Sequence, residues 1–234
     1  MRYLAFISGL IFSVVACAED APAPNAEKYE EGKHYLVLSA PVQTIVPKDK
    51  VEITEVFRFG CPHCYHFEES ASKWKKTKPE AAELVRNPVV WDKVTETRAR
   101  VYYTGEKLGV ADETALKIFK AIHEEARTAR EANTVLTKED DILAMFESLG
   151  VEREKAKKMY NNWFVSAKVN QADGRARGFA VAGTPEIFVD GRYRITTTTA
   201  GGSYETMLDI AAFLVNKIAA ERGTEAPVET ALAE

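Results

Sequence analysis

Residues 51–70 read VEITEVFRFGCPHCYHFEES, and this stretch decides the fold. Its first seven residues are rich in the β-branched and aromatic types that favour strands, and Gly60 ends that run. Pro62 suits the first turn of a helix, where its missing N–H costs nothing, and the following residues continue in helical character. The stretch therefore predicts a strand, a turn and a helix, with Cys61 at the helix N-terminus.

The spacing of Cys61 and Cys64 predicts reactive rather than structural cysteines. A bridge between them would close a very short loop and add little stability. Unpaired N–H groups and the positive end of the helix dipole favour a thiolate at Cys61. Thiols in such places have pKa values of about 3.5 to 7.5, against about 8.5 for free cysteine. A stabilised thiolate makes the disulfide a strong oxidant, and His63 can strengthen this with charge or a hydrogen bond. We expect Cys64, one turn deeper, to be the shielded partner.

The N-terminus is typical of an export signal covering residues 1–18. Arg2 precedes an apolar stretch, and Ala16-Cys17-Ala18 forms a small-x-small cleavage pattern. A second interpretation is a bacterial lipoprotein signal, in which Cys17 is lipidated. Both place the chain outside the reducing cytosol, where disulfides persist, and both leave Cys61 and Cys64 as the remaining cysteines of the folded domain.

Composition narrows the function classes. The 234 residues are 46% hydrophobic and 28% charged, which is ordinary for a globular protein. The 31 basic and 35 acidic residues give a net charge of −4, which offers no general attraction for nucleic acid. No internal apolar run reaches the about 20 residues that span a bilayer. We expect a monomer without a nucleic-acid partner.

The motif Cys61-Pro62-His63-Cys64-Tyr65 resembles the active site of the DsbA family of periplasmic thiol-disulfide oxidoreductases. The resemblance extends over residues 29–221. Other matching parts are Gly32-Lys33-His34-Tyr35, the acidic Glu55, and Gly183-Thr184-Pro185, which resembles the loop carrying the family's cis-proline. This chain departs from many members at Thr184, where they carry valine, and at Arg58.

The resemblance implies an α/β fold, a thioredoxin fold with an inserted all-helical domain. Its first part would cover residues 19–88, the helical domain 89–172, the second part 173–221, and a flexible tail 222–234. Asp190-Gly191 independently predicts a tight type I′ hairpin, and apolar residues at helical spacing over 208–219 predict a closing helix. Leu116-Phe119-Ile122 and residues 142–149 show similar helical stripes. Residues 81–85 have local helical character, but the resemblance places a strand near residues 84–86, which we adopt.

The resemblance also implies a function: introducing disulfide bonds into exported proteins by exchange at Cys61 and Cys64. Pro62, His63 and Glu55 would tune the redox chemistry, and Thr184 and Pro185 would bind substrate. The redox-active disulfide would need no further cofactor. The partners would be thiols of unfolded exported proteins and a membrane quinone-linked reoxidase like DsbB.

Several alternatives remain open at this stage. Glu55 is either an edge or solvent-facing carboxylate or a buried proton relay for Cys64, and Thr184-Pro185 is either a strand-entry turn or a substrate platform. Cys61, His63, Cys64 and His66 could be proposed as a zinc or copper site, but on a helix the histidines face away from the cysteines. A peptide-binding chaperone, a reductase and an isomerase are further candidates.

His123-Glu124-Glu125 begins like a zinc-protease motif. Arg127 occupies the position of the second histidine, so we predict that His123 is a helix-surface residue.

Overall fold

A five-stranded sheet forms the centre of the computed structural model, which describes residues 28–223. In chain order the strands are β1 (Leu36–Val37), β2 (Val51–Phe57), β3 (Ala82–Pro88), β4 (Glu186–Val189) and β5 (Tyr193–Thr196). Their spatial order is β1-β5-β4-β2-β3, and only the β2–β3 pairing is parallel. Every residue of β2 is buried, because this strand has neighbours on both sides.

The segment between β3 and β4 is helical. Two helices of the described chain lie outside this segment: α1 (Pro62–Trp74) follows β2, and α8 (Tyr204–Glu221) follows β5. The segment itself contains α2 (Lys93–Leu108), α3 (Ala111–Lys120), a π-helical turn (Ala121–Glu125), α4 (Ala129–Thr134), α5 (Glu139–Ser148), α6 (Arg153–Tyr160) and α7 (Trp163–Gly178). This arrangement confirms a thioredoxin fold with a helical insertion. The boundary predicted between residues 172 and 173 falls inside α7, which continues unbroken to Gly178.

Local sequence signals explain where the main helices begin. The side chain of Asp92 accepts a hydrogen bond from the Thr95 N–H at 2.8 Å, which forms a capping box at the start of α2. Ser203 does the same for α8 by accepting from the Thr206 N–H at 3.1 Å. These caps satisfy N–H groups that have no partner within the helix.

β3 is a strand despite its locally helical sequence, as the resemblance predicts. It pairs along its whole length with the buried strand β2. The hairpin between β4 and β5 is also confirmed, because Asp190 and Gly191 have φ values of 55° and 67°. A Cβ at position 191 would overlap the carbonyl oxygen of Val42, so only glycine fits there.

Two large apolar clusters hold the layers together. One joins the start of α1 to the helical insertion and contains Phe57, Phe59, Tyr102 and Phe119. The other packs the sheet against α8 and α1. Leu116 is an exception to the predicted stripe on α3, since its side chain is 47% exposed. The buried face of α3 runs through Ala115, Ile118 and Phe119 instead.

The described residues include the first two positions of the predicted tail, 222 and 223. Arg222 forms an ion pair with Asp190 at 2.5 Å and donates to the Lys50 carbonyl at 3.2 Å. The rest of the tail from residue 224, the signal segment 1–18 and Cys17 lie outside the described residues. Across residues 28–223 no helix is both long and apolar enough to cross a membrane.

Candidate active site

Cys61 occupies the N-cap position of α1, and Pro62 is the first residue of the helix. The Cys61 N–H donates to the Arg58 carbonyl at 3.0 Å, which closes a turn at the end of β2. Cys61 is 7% exposed and Cys64 is fully buried, and both are free thiols. The two sulfurs therefore differ in accessibility, as the sequence predicts for an attacked cysteine and a shielded partner.

The surroundings of Cys61 strongly favour its thiolate. A hydrogen bond from the Cys64 thiol, outweighing the opposing effect of burial, lowers the pKa of Cys61 from 9.0 to about 4. The Thr184 side chain and the backbone N–H groups of Cys64 and His63 contribute in the same direction. Cys61 is thus ionised at neutral pH.

Cys64 shows the opposite behaviour. Burial, followed by its hydrogen bond to Cys61, raises the pKa of the Cys64 thiol far above the ordinary value. The pair therefore holds one negative charge on the outer sulfur and one proton on the inner sulfur.

The loop before β4 closes over the outer sulfur. The Thr184–Pro185 peptide bond is cis, and the Cys61 sulfur lies 3.3 Å from the Thr184 carbonyl oxygen. The Gly183 N–H donates to Glu186 Oε1 at 3.0 Å, which fastens this loop to β4. The structure thus brings Thr184, one of the two residues assigned to substrate binding, against the reactive cysteine from a distant part of the chain.

His63 contributes to the site through its backbone N–H. Its exposed imidazole faces α8, where Nδ1 lies 3.4 Å from the Tyr204 hydroxyl oxygen. Tyr204 packs edge-on against Phe67 at 5.5 Å. Burial, with smaller contributions from Cys64 and Cys61, raises the pKa of Tyr204. Sequence analysis did not identify Tyr204, because nothing in its local sequence signals proximity to the cysteines.

Glu55 lies on the central strand β2 and is 1% exposed, so the edge or solvent-facing interpretation is wrong. Its Oε2 accepts from Arg86 Nε at 2.9 Å, whereas its Oε1 has no hydrogen-bond partner. Arg86 also forms an ion pair with Glu68 and lies 4.6 Å from the centre of the Phe57 ring. One guanidinium thus bridges a carboxylate from the sheet and another from α1.

Glu68 is the second carboxylate of this cluster, and its pKa is raised. Burial and the nearby Glu55 charge, partly opposed by Arg86, raise the pKa of Glu68 to about 7. The cluster lines a groove of about 870 Å³, which is also bordered by Tyr65, His66, Leu84, Asp112 and Leu116. Arg86 and Glu68 were not among the predicted site residues. The parallel register of β2 and β3 places Arg86 beside Glu55, and Glu68 reaches Arg86 from α1.

Comparison with known proteins identifies the family. The model of the DSBA-like thioredoxin domain matches residues 90–209. The thiol:disulfide interchange protein DsbA of Pseudomonas aeruginosa is 32% identical over 195 residues, covering 83% of this chain and 88% of its own. The chain belongs to the DsbA family. DsbA of Pseudomonas syringae pv. tomato is 30% identical over 217 residues, covering 93% of this chain and 96% of its own.

Solved structures of DsbA proteins have the same fold. The crystal structure of Pseudomonas aeruginosa DsbA has a TM-score of 0.74 and 30% identity, covering 85% of this chain and 98% of that chain. DsbA from Xylella fastidiosa has a TM-score of 0.70 and 27% identity, covering 80% and 96%. This DsbA family member is a thiol:disulfide oxidoreductase.

The metal interpretation gains no support from the geometry of the site. Within residues 28–223 no three His, Cys, Asp or Glu side chains are grouped to hold an ion. The imidazole of His63 is directed at Tyr204, and Cys61 and Cys64 contact each other.

Proposed function

We propose that this protein oxidises cysteine pairs in unfolded exported proteins and acts in the periplasm. The observation that carries the proposal is the contrast between the Cys61 thiol, with a pKa lowered to about 4, and the buried, protonated Cys64. Stabilising the thiolate stabilises the reduced protein, so its disulfide readily accepts electrons. This contrast favours oxidation of substrates over their reduction.

The exchange reaction follows from which sulfur is accessible. A substrate thiolate attacks Cys61 of the oxidised protein, a substrate–Cys61 disulfide forms, and the Cys61–Cys64 bond breaks. Cys64 leaves as a thiolate and takes up a proton. A second substrate thiolate then attacks the substrate sulfur and releases Cys61 as a thiolate. The substrate loses two electrons, and the Cys61–Cys64 pair gains them.

Thr184 and Pro185 are proposed to form the substrate platform. Thr184 contacts the Cys61 sulfur directly, so a substrate cysteine that reaches Cys61 must lie beside this loop. An extended peptide there can pair with the backbone of the loop, and its side chains can vary.

Glu55 is proposed to exchange the proton of Cys64. Cys64 must lose a proton whenever it attacks and regain one whenever it leaves, and burial opposes its ionisation. Glu55 Oε1 is buried without a partner, and the same groove holds Glu68, whose pKa of about 7 suits exchange with solvent. Arg86 fixes the position of both carboxylates.

The catalytic cycle needs a reoxidant, because each turnover leaves the dithiol. We propose a membrane quinone-linked protein like DsbB, whose own disulfide takes electrons from Cys61 by the same exchange. The two sulfurs carry the electron pair, so no other cofactor is required. The protein is proposed to act as a monomer after loss of residues 1–18, or as a lipoprotein through Cys17.

Trapping of substrates tests this function. The Cys64→Ser variant lacks the thiol that can attack the substrate–Cys61 disulfide and reverse the exchange, so mixed disulfides that Cys61 forms with oxidised thiols or disulfides should accumulate in an oxidising periplasm. The matched Cys61→Ser variant should accumulate none. Mixed disulfides can be seen by non-reducing electrophoresis and mass spectrometry. Equal amounts of adduct on both variants, or none on either, would contradict the proposed exchange.

A further inference from the structure

His123 connects the helical insertion to the redox motif. We propose that His123 is a positioning residue, which holds the turn before Cys61 and so stabilises the Cys61 thiolate. The inference rests on the proposed exchange at Cys61. The sequence predicts a surface histidine on a helix, but the residue lies in the π-helical turn Ala121–Glu125 and directs its ring toward the active site.

The first contact is a hydrogen bond to the turn itself. His123 Nε2 lies 2.7 Å from the Phe59 carbonyl oxygen. A carbonyl only accepts hydrogen bonds, so Nε2 carries the proton and donates. Phe59 lies inside the turn that the Cys61 N–H closes on the Arg58 carbonyl. His123 therefore holds the middle of the turn, and the Cys61 N–H holds its end.

The second contact lies on the other side of the motif. The His123 ring stacks on Tyr65, with centroids 5.0 Å apart and planes 8° apart, and Phe119 lies 6.1 Å away from the imidazole. The Tyr65 hydroxyl donates to Glu124, the next residue of the same π-helical turn. One turn of the insertion thus contacts the residue after Cys64 as well as the segment before Cys61. Single π-helical turns are frequent at functional sites.

The geometry of the turn affects redox chemistry because it stabilises the charged Cys61 thiolate of the reduced protein and not the uncharged disulfide of the oxidised protein. The Cys61 charge is stabilised by hydrogen bonds from the Cys64 thiol, the Thr184 side chain and backbone N–H groups. Hydrogen bonds weaken steeply with misalignment. The disulfide carries no charge for these donors to stabilise, so a looser turn disfavours the reduced protein more than the oxidised protein.

The test separates the hydrogen bond from the ring stacking. His123→Phe keeps an aromatic ring against Tyr65 but cannot donate, whereas His123→Gln keeps an N–H donor but not the ring. The control is His34→Phe, at the N-terminal end of the described chain. His34 also forms a hydrogen bond with the backbone, accepting from the Glu30 N–H, and also packs against a tyrosine, Tyr29. The measurements are the glutathione redox equilibrium, the pH titration of the Cys61 thiolate, and unfolding of both redox forms.

His123→Phe should shift the glutathione equilibrium about threefold to tenfold toward the oxidised protein, the range expected for one hydrogen bond. It should raise the pKa of Cys61 and destabilise the reduced form more than the oxidised form. His123→Gln keeps the donor, so its glutathione equilibrium should stay close to that of the unmodified protein. His34→Phe should leave the glutathione equilibrium unchanged.

A purely structural role for His123 would overturn the proposal. In that case His123→Phe would destabilise both redox forms equally, and the glutathione equilibrium and thiolate titration would not move. The proposed function is tested by a different result: it is refuted if the unmodified protein does not oxidise a reduced substrate. If the unmodified protein oxidises its substrate and His123→Phe leaves the glutathione equilibrium unchanged, only the positioning role of His123 is refuted.

Discussion

Replacing Thr184 with valine removes the side-chain hydroxyl that favours the Cys61 thiolate and little else. Valine keeps the branched shape of threonine, and the Thr184 carbonyl that lies 3.3 Å from the Cys61 sulfur belongs to the backbone. The side chain of Thr184 is one of the groups that lower the pKa of Cys61. Thr184→Val therefore tests directly whether the loop before β4 tunes the redox centre.

The magnitude follows from the charge on the acceptor. Hydrogen bonds to ionised groups contribute about 1.5 to 3 kcal/mol. We take the lower end of this range, because the Thr184 side chain is only one of several groups that stabilise the thiolate. At about 1.4 kcal/mol per pKa unit, the pKa of Cys61 should rise by about one unit. Both pKa values lie well below 7, so the reduced form loses the whole contribution at neutral pH, and the redox potential should fall by about 30 mV.

The assay is the glutathione equilibrium at neutral pH, together with a thiolate titration by ultraviolet absorbance. Thr184→Val should favour the oxidised form about tenfold compared with the unmodified protein. Thr184→Ser is the matched control, because it keeps the hydroxyl group and should remain close to the unmodified protein. If the valine variant titrates and equilibrates like the serine variant, the Thr184 hydroxyl does not tune Cys61.

Three further predictions concern pH, a buried ion pair and proton exchange. Because the pKa of Cys61 is lowered from 9.0 to about 4, its contribution to the stability of the reduced form should be absent below about pH 4 and grow as the pH rises to 9.0, as urea unfolding of both redox forms can measure; above pH 9.0 the raised pKa of Cys64 should lower this stability again. Arg175→Met leaves Glu52 buried without its ion-pair partner and should cost about 3 to 5 kcal/mol of unfolding free energy, most of it recovered by adding Glu52→Leu. Glu55→Gln should slow turnover with a dithiol peptide several-fold while leaving the pH titration of Cys61 nearly unchanged; an unchanged rate would remove Glu55 from the proton path of Cys64.

The sequence was sufficient to predict the immediate environment of the cysteines. A strand, a glycine and Cys-Pro-x-Cys place Cys61 at a helix N-terminus by local rules alone, and the structure has this arrangement. The hairpin at Asp190-Gly191 also follows from two residues that tolerate positive φ. These features depend on neighbours in the chain, which is why they could be predicted.

Long-range features could not be predicted in this way. Residues 81–85 have helical local character, and β3 forms there because it lies beside the buried strand β2. The position of Arg86 opposite Glu55 depends on that register. Tyr204 and His123 reach the redox motif from α8 and from the helical insertion, more than fifty residues away along the chain. No local pattern marks either residue as part of the site.

The two glutamates of β2 show how the structure separates a structural carboxylate from a reactive one. Glu52 and Glu55 are both completely or almost completely buried. Glu52 has partners on both oxygens, since Oε1 accepts from Arg175 and Thr54, and Oε2 accepts from the Ile45 N–H at 2.6 Å. A carboxylate satisfied in this way has no oxygen free to accept a proton without losing a bond.

Glu55 differs from Glu52 in this respect. Its Oε2 is held by Arg86, but its Oε1 is buried without a partner. A proton can bind Oε1 of Glu55 without breaking an existing hydrogen bond, which is not possible at either oxygen of Glu52. Glu55 and Glu68 line the same groove. The unpaired oxygen therefore favours Glu55, and not the equally buried Glu52, as the group that exchanges a proton with Cys64.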